Sequence, residues 1–247
     1  MTMLQACLNG GRTLSETPNV PITATQLAQD AVAAKRAGAE MLHVHPRDDT
    51  GSETLAPRDV AKALNAIRAA VPRMPVGIGT GHWIRPGGEA RHADMQAWDV
   101  LPDYVSVNLN EPDAAAVISM LHARGIGIEA GVWNARDARK LCREVPKSAI
   151  LRVLLEMPDA PGPLARQEAL RCRQVLRERG LFAPILLHGM ERSAWPCLSE
   201  AARLGFDTRI GFEDTLDLPD GRPAKTNAQL IEAAREVIDH ATGDVIL

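Results

Sequence analysis

Residues 40–71, EMLHVHPRDDTGSETLAPRDVAKALNAIRAAV, contain one unit of the repeat that decides the fold. The first six residues form a short apolar run. From Pro57 onward, apolar residues recur at helical spacing with Arg and Lys between them: Val60, Leu64, Ile67 and Val71. Apolar side chains at this spacing cover one face of a helix and leave the other face polar. The stretch therefore predicts a buried strand followed by an amphipathic helix.

The same alternation extends in both directions along nearly the whole chain. The predicted strands are MLQACLN (3–9), EMLHVH (40–45), PVGIGT (75–80), YVSVNL (104–109), GIEAGVW (127–133), ILRVLLEM (150–157), PILLHG (184–189) and TRIGFED (208–214). Several have apolar residues at odd and even positions alike, which is typical of parallel strands covered by helices on both faces. Eight such units in 247 residues, with no linker between them, predict a single-domain (β/α)8 TIM barrel over residues 1–247. No GxGxxG motif follows the first strand, which disfavours an open dinucleotide-binding sheet.

Composition and charge exclude several classes of protein. The formal net charge is −3 and the basic residues are scattered, so we expect no nucleic-acid partner. The four cysteines form no CxxC pair, which argues against a disulfide framework and fits a reducing cytoplasm. The opening MTMLQACLNG lacks the features of a signal peptide, and no later stretch approaches a membrane span of about 20 apolar residues. We therefore expect a soluble, cytoplasmic protein with no membrane partner.

The motif HVHPRD, residues 43–48, is the strongest functional signal. His43 and His45 are two residues apart on a predicted strand, so their side chains project to the same side. Two imidazoles at the mouth of a barrel suit zinc and other divalent transition metals. The alternative is that one histidine completes a polar network while the other only packs. A pair at a barrel rim favours the metal site.

A third metal ligand is predicted in RIGFED, residues 209–214. There Arg209, Gly211 and Glu213 share one phase of the eighth strand, and Asp214 lies just beyond. Barrel closure places the eighth strand next to the first and two strands from the second, so Glu213 can reach the histidine pair. Alternatively, the Glu-Asp pair belongs to a loop or caps a helix.

Further polar residues follow other predicted strands. They are Asn9 and Arg12 after the first, Thr80, Gly81 and His82 after the third, Asn108 and Asn110 at the fourth, and Glu129, Glu156 and His188 on the fifth to seventh. So many polar groups at one end of a barrel indicate a site for a polar anionic substrate. Arg12, Arg47 or Arg209 could hold its carboxylate. Arg47 and Asp48 could instead form a local salt bridge of little consequence.

Several motifs occur together in the order found in one enzyme family. LNGG (8–11), NVPIT (19–23), HVHPRD (43–48), GTG (79–81), RIGFEDT (209–215) and TNAQL (226–230) resemble the β-keto acid cleavage enzymes. This family includes the 3-keto-5-aminohexanoate cleavage enzyme. The likeness covers nearly the whole chain, and the combination of HxHxRD with RxGxED is its most specific part.

The resemblance implies a zinc-dependent barrel that forms a homo-oligomer and uses acetyl-CoA as co-substrate. Such an enzyme converts a β-keto acid and acetyl-CoA into acetoacetate and the CoA ester of the remaining fragment. The zinc ligands would be His43, His45 and Glu213, although another divalent transition metal fits the same donors. Asp214 would remove a proton from the keto acid with the help of Arg209, and Glu129 resembles the catalytic glutamate of the family.

The chain also departs from the family pattern. It is shorter than the family leads us to expect, and Gly79-Thr80-Gly81-His82 replaces a loop of the Ser-Thr-Gly-Gly type. This loop and its neighbours are the predicted substrate-binding residues: Asn9, Arg12, Thr80, Gly81, Asn108 and Asn110. Arg12 lies where some members carry a glutamate that meets a cationic amine. We therefore expect a substrate with an uncharged or anionic tail.

Two other functions fit the same residues. A metal-dependent aldolase or hydrolase would use the metal without CoA, although hydrolases of the amidohydrolase kind carry their histidine pair on the first strand and more histidines on the fifth and sixth. A non-catalytic barrel that serves as a binding module would need neither Asp214 nor Arg209. Structural zinc usually has four protein ligands, whereas three leave a place for substrate.

Overall fold

Eight parallel strands alternate with eight helices in residues 2–243, the part of the chain that the computed structural model describes. Residues 1 and 244–247 of the predicted domain lie outside it, and side chains are described through residue 241. The elements are β1 (Leu4–Cys7), α1 (Ala24–Arg36), β2 (Met41–Val44), α2 (Pro57–Ala70), β3 (Val76–Gly79), α3 (Arg91–Gln96), β4 (Tyr104–Asn108), α4 (Ala114–His122), β5 (Gly127–Val132), α5 (Ala135–Glu144), β6 (Arg152–Met157), α6 (Gly162–Glu178), β7 (Ile185–Gly189), α7 (Ala194–Leu204), β8 (Thr208–Ile210) and α8 (Asn227–Gly243).

The strands form one parallel sheet in the order β7-β6-β5-β4-β3-β2-β1-β8. Its two ends meet, because Leu186 and Asp207 form a parallel bridge and the Leu187 N–H donates to the Asp207 carbonyl at 2.9 Å. The sheet therefore curls into the predicted (β/α)8 barrel, and all eight predicted strands are present. Among residues 2–243, no helix has the length and apolar character needed to cross a membrane.

The helices bury the faces that their sequence patterns predict. In α2, Val60, Leu64 and Ile67 are fully buried, and Pro57 occupies the first turn, where its missing N–H costs no hydrogen bond. The α1 helix begins with a capping box formed by Thr23 and Gln26, which satisfies backbone N–H groups at its start. These features cover the outside of the barrel and leave the carboxyl ends of the strands free for a site.

Glycines on β3 make room for larger side chains inside the barrel. A Cβ atom at Gly79 would lie 2.3 Å from His45 Nε2, and one at Gly77 would lie 2.0 Å from the Tyr104 ring. Below this level, Gln5 Nε2 donates to Tyr104 Oη at 2.9 Å and to Glu129 Oε1 at 3.0 Å. The glycine spacing of β3 thus permits His45 to lie inside the barrel above a polar layer.

The eighth strand is shorter than its sequence predicts. It ends at Ile210, and residues 211–214 form a turn in which the Asp214 N–H donates to the Gly211 carbonyl at 2.9 Å. A Cβ at Gly211 would lie 2.0 Å from the Cys7 carbonyl oxygen, so the backbone of β1 blocks any larger residue there. The prediction that Glu213 continues the strand in phase with Arg209 was wrong, since this turn carries Glu213.

Candidate active site at the carboxyl end of the barrel

The three predicted metal ligands converge at the mouth of the barrel. His43 Nε2 lies 3.1 Å from His45 Nε2 and 3.6 Å from Glu213 Oε2, while His45 Nε2 lies 3.8 Å from Glu213 Oε1. The donor atoms of all three lie within 4.8 Å of one another. The side chains of His43 and His45 are almost completely buried. One ion could contact all three.

The charges of these groups suit a divalent cation. Burial lowers the pKa of His43 to about 3, so its imidazole is neutral and has a free lone pair. Burial alone would raise the pKa of Glu213, but Arg209 and the neighbouring histidines together outweigh burial and bring the pKa below its usual range. Glu213 Oε2 is buried and has no hydrogen-bond partner among the described residues. The neutral His43 imidazole and the ionised Glu213 carboxylate, with His45 beside them, match a His2Glu metal site.

Two neighbours fix the position of His45. The Asn9 side chain makes two hydrogen bonds with the backbone of His45. Its Oδ1 accepts from the His45 N–H and its Nδ2 donates to the His45 carbonyl, each at 2.8 Å. Glu53 Oε1 lies 2.5 Å from His45 Nδ1. Glu53 was not predicted from the sequence, because it comes from an irregular loop whose path no periodicity shows.

Arg209 and Asp214 form a buried ion pair beside the metal ligands. The guanidinium donates to Asp214 Oδ1 through Nε at 3.2 Å and a terminal nitrogen at 3.0 Å, and to Glu213 Oε1 at 2.9 Å. His188 Nδ1 lies 3.1 Å from the same Asp214 oxygen. Asp214 is inaccessible to solvent, and its Oδ2 has no hydrogen-bond partner among the described residues. A free carboxylate oxygen is thus held at a fixed place.

A cavity of about 340 Å³ opens above these groups. Predicted site residues in its lining are Arg12, His45, Gly81, Asn108, Glu156, Arg209 and Glu213. Residues in its lining that the sequence did not single out include Glu16, Trp83, Ser106, Trp133, Met190 and Glu191. Most of these lie on the loops that follow the strands, and loop residues carry no periodic signal. The cavity gives a substrate direct access to His45, Glu213 and Arg209.

Besides the buried His43 and Asp214, four predicted site residues lie outside this lining. Asn9 is buried beneath the His45 backbone, and Thr80 Oγ1 donates to the Ser106 carbonyl at 2.6 Å. Asn110 is exposed on the turn after β4. Glu129 is fully buried below the site, where it accepts from Gln5 and lies 3.4 Å from Arg152 Nε, and burial raises its pKa. None of these four residues lines the cavity.

A sequence model of the beta-keto acid cleavage enzyme family matches residues 2–246. The chain belongs to this family. It is 23% identical to the 3-keto-5-aminohexanoate cleavage enzyme of Acetoanaerobium sticklandii, over 93% of this chain and 89% of that protein. It is 33% identical to the 3-oxoadipate:acetyl-CoA acetyltransferase of Cupriavidus necator, over 87% of this chain and 80% of that protein.

Solved structures show the same fold. The ternary complex of ObcA with a C4-CoA adduct and oxalate superposes with a TM-score of 0.73 at 18% identity. The match covers 91% of this chain but only 65% of the length of ObcA. At this identity the likeness concerns the barrel alone. Membership of the family rests on the sequence matches and makes the chain an enzyme of β-keto acid cleavage.

Arg12 is a basic residue in the lining of the cavity. Its Nε donates to the Phe212 carbonyl at 2.8 Å and a terminal nitrogen donates to Glu16 Oε1 at 3.0 Å, while the other terminal nitrogen contacts Glu191. Both glutamates are about 40% exposed, at 42% and 41%. A carboxylate on a substrate could therefore exchange with either of them at Arg12.

Arg47 and Asp48 do not form the local salt bridge that their sequence allows. The Arg47 guanidinium donates to backbone carbonyls of other loop residues, including that of Arg12 at 3.1 Å. Asp48 pairs with Arg85 at 3.3 Å and caps a turn through the Thr50 N–H. Arg47 therefore connects the loop after β2 to the loop after β1. Neither Arg47 nor Asp48 lines the cavity.

His82 belongs to a second group of possible metal donors, together with Glu111 and Asp113. The fully buried guanidinium of Arg91 lies among them, 2.9 Å from Glu111 Oε2 and 2.6 Å from Asp113 Oδ2. Because a guanidinium already supplies the positive charge, this group is an ion-pair cluster. The metal candidate of the barrel is the His43, His45 and Glu213 site.

Proposed function

We propose that the chain catalyses an acetyl-CoA-dependent cleavage of a β-keto acid by a retro-Claisen route. The acyl group of the keto acid leaves as its CoA ester, and the two-carbon fragment that remains joins the acetyl group to form acetoacetate. The observation that carries this proposal is the His43, His45 and Glu213 site beside the Arg209–Asp214 pair, in a chain of this family.

Zinc is the proposed metal, held by His43, His45 and Glu213. Three protein ligands leave coordination positions for a substrate, and cobalt, nickel or manganese could occupy the same donors. When bound, such an ion acts as a Lewis acid that polarises the keto group and makes the methylene beside it more acidic. The buried, uncharged state of His43 supports this assignment.

Asp214 is the proposed general base. One of its oxygens is engaged by Arg209, whereas Oδ2 has no hydrogen-bond partner among the described residues and can accept a proton from the substrate methylene. Arg209 stays protonated, because Asp214 and Glu213 raise its pKa well above the usual value despite its burial. It holds Asp214 in place and faces the cavity, where it can bind the substrate carboxylate.

Glu129 is proposed to take part from beneath the site. Its contacts with Gln5 and Arg152 place it in the barrel interior, one level below the ligands. From there its charge would influence Arg209 and Arg152 without touching the substrate. This role differs from direct catalysis, and substitution of Glu129 would act through the position of Arg209.

The substrate-binding residues are proposed to be Arg12, Gly81 and Asn108 in the cavity wall, with Asn9, Thr80 and Asn110 in supporting positions. Asn108 accepts from the Trp133 indole at 3.3 Å and so is already oriented. Arg12 favours an uncharged or anionic tail. The 33% identity to a relative named for 3-oxoadipate, a keto dicarboxylate, supports an anionic one.

Acetyl-CoA is the proposed co-substrate. Two relatives carry it in their names, the 3-oxoadipate:acetyl-CoA acetyltransferase and the 3-dehydrocarnitine:acetyl-CoA trimethylamine transferase of Rhizobium meliloti, the latter 22% identical to this chain. We further propose a cytoplasmic homo-oligomer without nucleic-acid or membrane partners. The net charge of −3 and the four free cysteines support this setting.

Mass spectrometry of the reaction products tests the proposal. Zinc-loaded protein is incubated with a panel of β-keto acids, with and without acetyl-CoA, and acetoacetate and new CoA esters are followed. We expect product that requires acetyl-CoA, disappears in His45→Ala and persists in His122→Ala, a control at an exposed histidine of α4. Cleavage without acetyl-CoA would instead establish an aldolase or hydrolase, and no turnover across the panel would favour a binding module.

A further inference from the structure

The carboxylate of Glu53 connects a metal ligand to an indole on the lip of the cavity. Its Oε1 lies 2.5 Å from His45 Nδ1, and its Oε2 accepts from Trp83 Nε1 at 3.2 Å. The Trp83 side chain is 59% exposed, whereas those of Glu53 and His45 are mostly buried. Three side chains therefore form a hydrogen-bonded row from the solvent to the metal site.

The two histidine ligands differ in this respect. His43 Nδ1 is buried and has no hydrogen-bond partner among the described residues, so no polar contact at that nitrogen holds the ring. His45 Nδ1 faces a carboxylate, which fixes the proton on Nδ1 and directs the lone pair of Nε2 towards His43 and Glu213. The position of the Glu53 carboxylate therefore determines how His45 presents its donor atom.

The backbone brings Glu53 and Trp83 together from two loops. Residues 46–54 fold back on themselves, since the Asp48 N–H donates to the Ser52 carbonyl at 2.9 Å and the Thr54 N–H to the Pro46 carbonyl at 3.0 Å. The loop after β3 joins this hairpin through a bridge between Thr54 and Arg85. Trp83 lies over Gly81, where a Cβ would lie 2.4 Å from the indole. Trp83 thus has a defined place beside Glu53.

We propose that Trp83 is a positioning residue of the metal site, which acts on His45 through Glu53. The indole limits the orientations of the Glu53 carboxylate and shields it on the solvent side, and this stabilises the donor geometry of His45. Because Trp83 also lines the cavity, molecules that fill the cavity contact the same residue that supports the metal ligand. The inference rests on the proposed metal site.

Zinc affinity measures this effect without turnover. The purified full-length protein competes with a chromophoric chelator for zinc in four forms: wild type, Trp83→Phe, Glu53→Ala and the double variant. Loss of a carboxylate partner of a histidine ligand weakens metal binding by about 10- to 100-fold, which is the change expected for Glu53→Ala. Trp83→Phe keeps an aromatic ring and removes one hydrogen bond, so we expect roughly five-fold weaker binding.

The double variant separates the proposed route from an independent effect. If Trp83 acts through Glu53, Trp83→Phe changes zinc affinity no further in the Glu53→Ala background. Equal effects in both backgrounds, or wild-type affinity in Trp83→Phe, would overturn the inference. The matched control is Trp195→Phe, since the Trp195 indole donates to the Asp217 carbonyl on the outer surface and should leave zinc affinity unchanged.

Two further measurements cover the cases in which a variant does not fold or the wild type does not bind zinc. If Glu53→Ala fails to fold by thermal melting, Glu53→Gln replaces it, and the visible spectrum of its cobalt-loaded form should shift because a neutral amide replaces the charged partner of His45. An unshifted spectrum counts against the inference. Failure of the wild type to bind zinc would overturn the proposed function itself, whereas normal binding by Trp83→Phe overturns only the role of Trp83.

Discussion

A methyl group at Gly79, the last residue of β3, would strike the donor atom of His45, the residue that follows β2. A Cβ at Gly79 would lie 2.3 Å from His45 Nε2 and 2.6 Å from Cε1, far closer than atoms in contact allow. Gly79 ends β3, and His45 directly follows the neighbouring parallel strand β2, in which His43 is in register with Gly77. The absence of a side chain at Gly79 is therefore a condition for the metal site.

Gly79→Ala is expected to abolish tight zinc binding. The new methyl group displaces the His45 ring from the two other ligands, and the loss of one ligand costs at least the 10- to 100-fold typical of a disturbed ligand partner. Zinc affinity by chelator competition, with thermal melting on the same samples, measures this. Gly77→Ala is the matched control, because its methyl group meets the Tyr104 ring and should lower the melting temperature more than the zinc affinity. Equal zinc binding by Gly79→Ala and wild type would contradict the assignment.

Asp214→Asn is expected to reduce turnover while zinc remains bound. The amide keeps the size of the side chain but cannot accept a proton from the substrate, and general-base catalysis typically contributes about 10²- to 10⁴-fold. Zinc stoichiometry by metal analysis and turnover with acetyl-CoA are compared on the same preparation. Asp220→Asn, on an exposed loop that pairs with Arg222, serves as the control. Turnover within two-fold of wild type would remove Asp214 from the proposed mechanism.

The sequence predicts the barrel well, because a local hydrophobic pattern indicates each strand and helix. Periodicity places all eight strands, and HVHPRD with RIGFED identifies three side chains that do converge. Prediction from periodicity fails where the chain forms irregular loops and turns. The turn at 211–214 depends on the approach of Gly211 to Cys7, and the position of Glu53 depends on a hairpin joined to another loop. Contacts between loops distant in sequence have no local signature, so Trp83 and Glu191 could not be found either.

Arg12→Ala is expected to change substrate preference more than overall activity. A hydrogen bond to a charged group contributes about 1.5–3 kcal/mol, so the kcat/KM for 3-oxoadipate should fall roughly 10- to 100-fold. A substrate with an uncharged tail, such as 3-oxohexanoate, should lose much less. The ratio of the two kcat/KM values, measured for wild type and variant, shows whether Arg12 sets the preference for an anionic tail. Preference of the wild type for 3-keto-5-aminohexanoate would show that Glu16 and Glu191, and not Arg12, select the tail.

The titration of Asp30 links the stability of the fold to pH. Hydrogen bonds through Asn227 connect Asp30 to Phe212, the residue before Glu213. Asn227 Nδ2 donates to Asp30 Oδ2 at 2.6 Å, and Asn227 Oδ1 accepts from the Phe212 N–H at 2.7 Å. Burial raises the pKa of Asp30 from 3.8 to about 6, although the bond from Asn227 lowers it in part. The folded state therefore binds this proton more tightly than the unfolded state does.

The sign of the effect follows from the raised pKa. Below pH 3.8 the aspartic acid is protonated in both states and costs nothing, and between pH 3.8 and about 6 the free energy of unfolding falls as pH rises. Above that window the ionised carboxylate destabilises the fold by on the order of 3 kcal/mol at most. Asp30→Asn keeps an acceptor for Asn227 without the charge, so it should be more stable than wild type at pH 8. Urea unfolding of both proteins between pH 4 and 8 measures the difference, which should shrink towards pH 4. A variant that is less stable than wild type at pH 8 would show that the hydrogen bond to Asn227 needs the charged form.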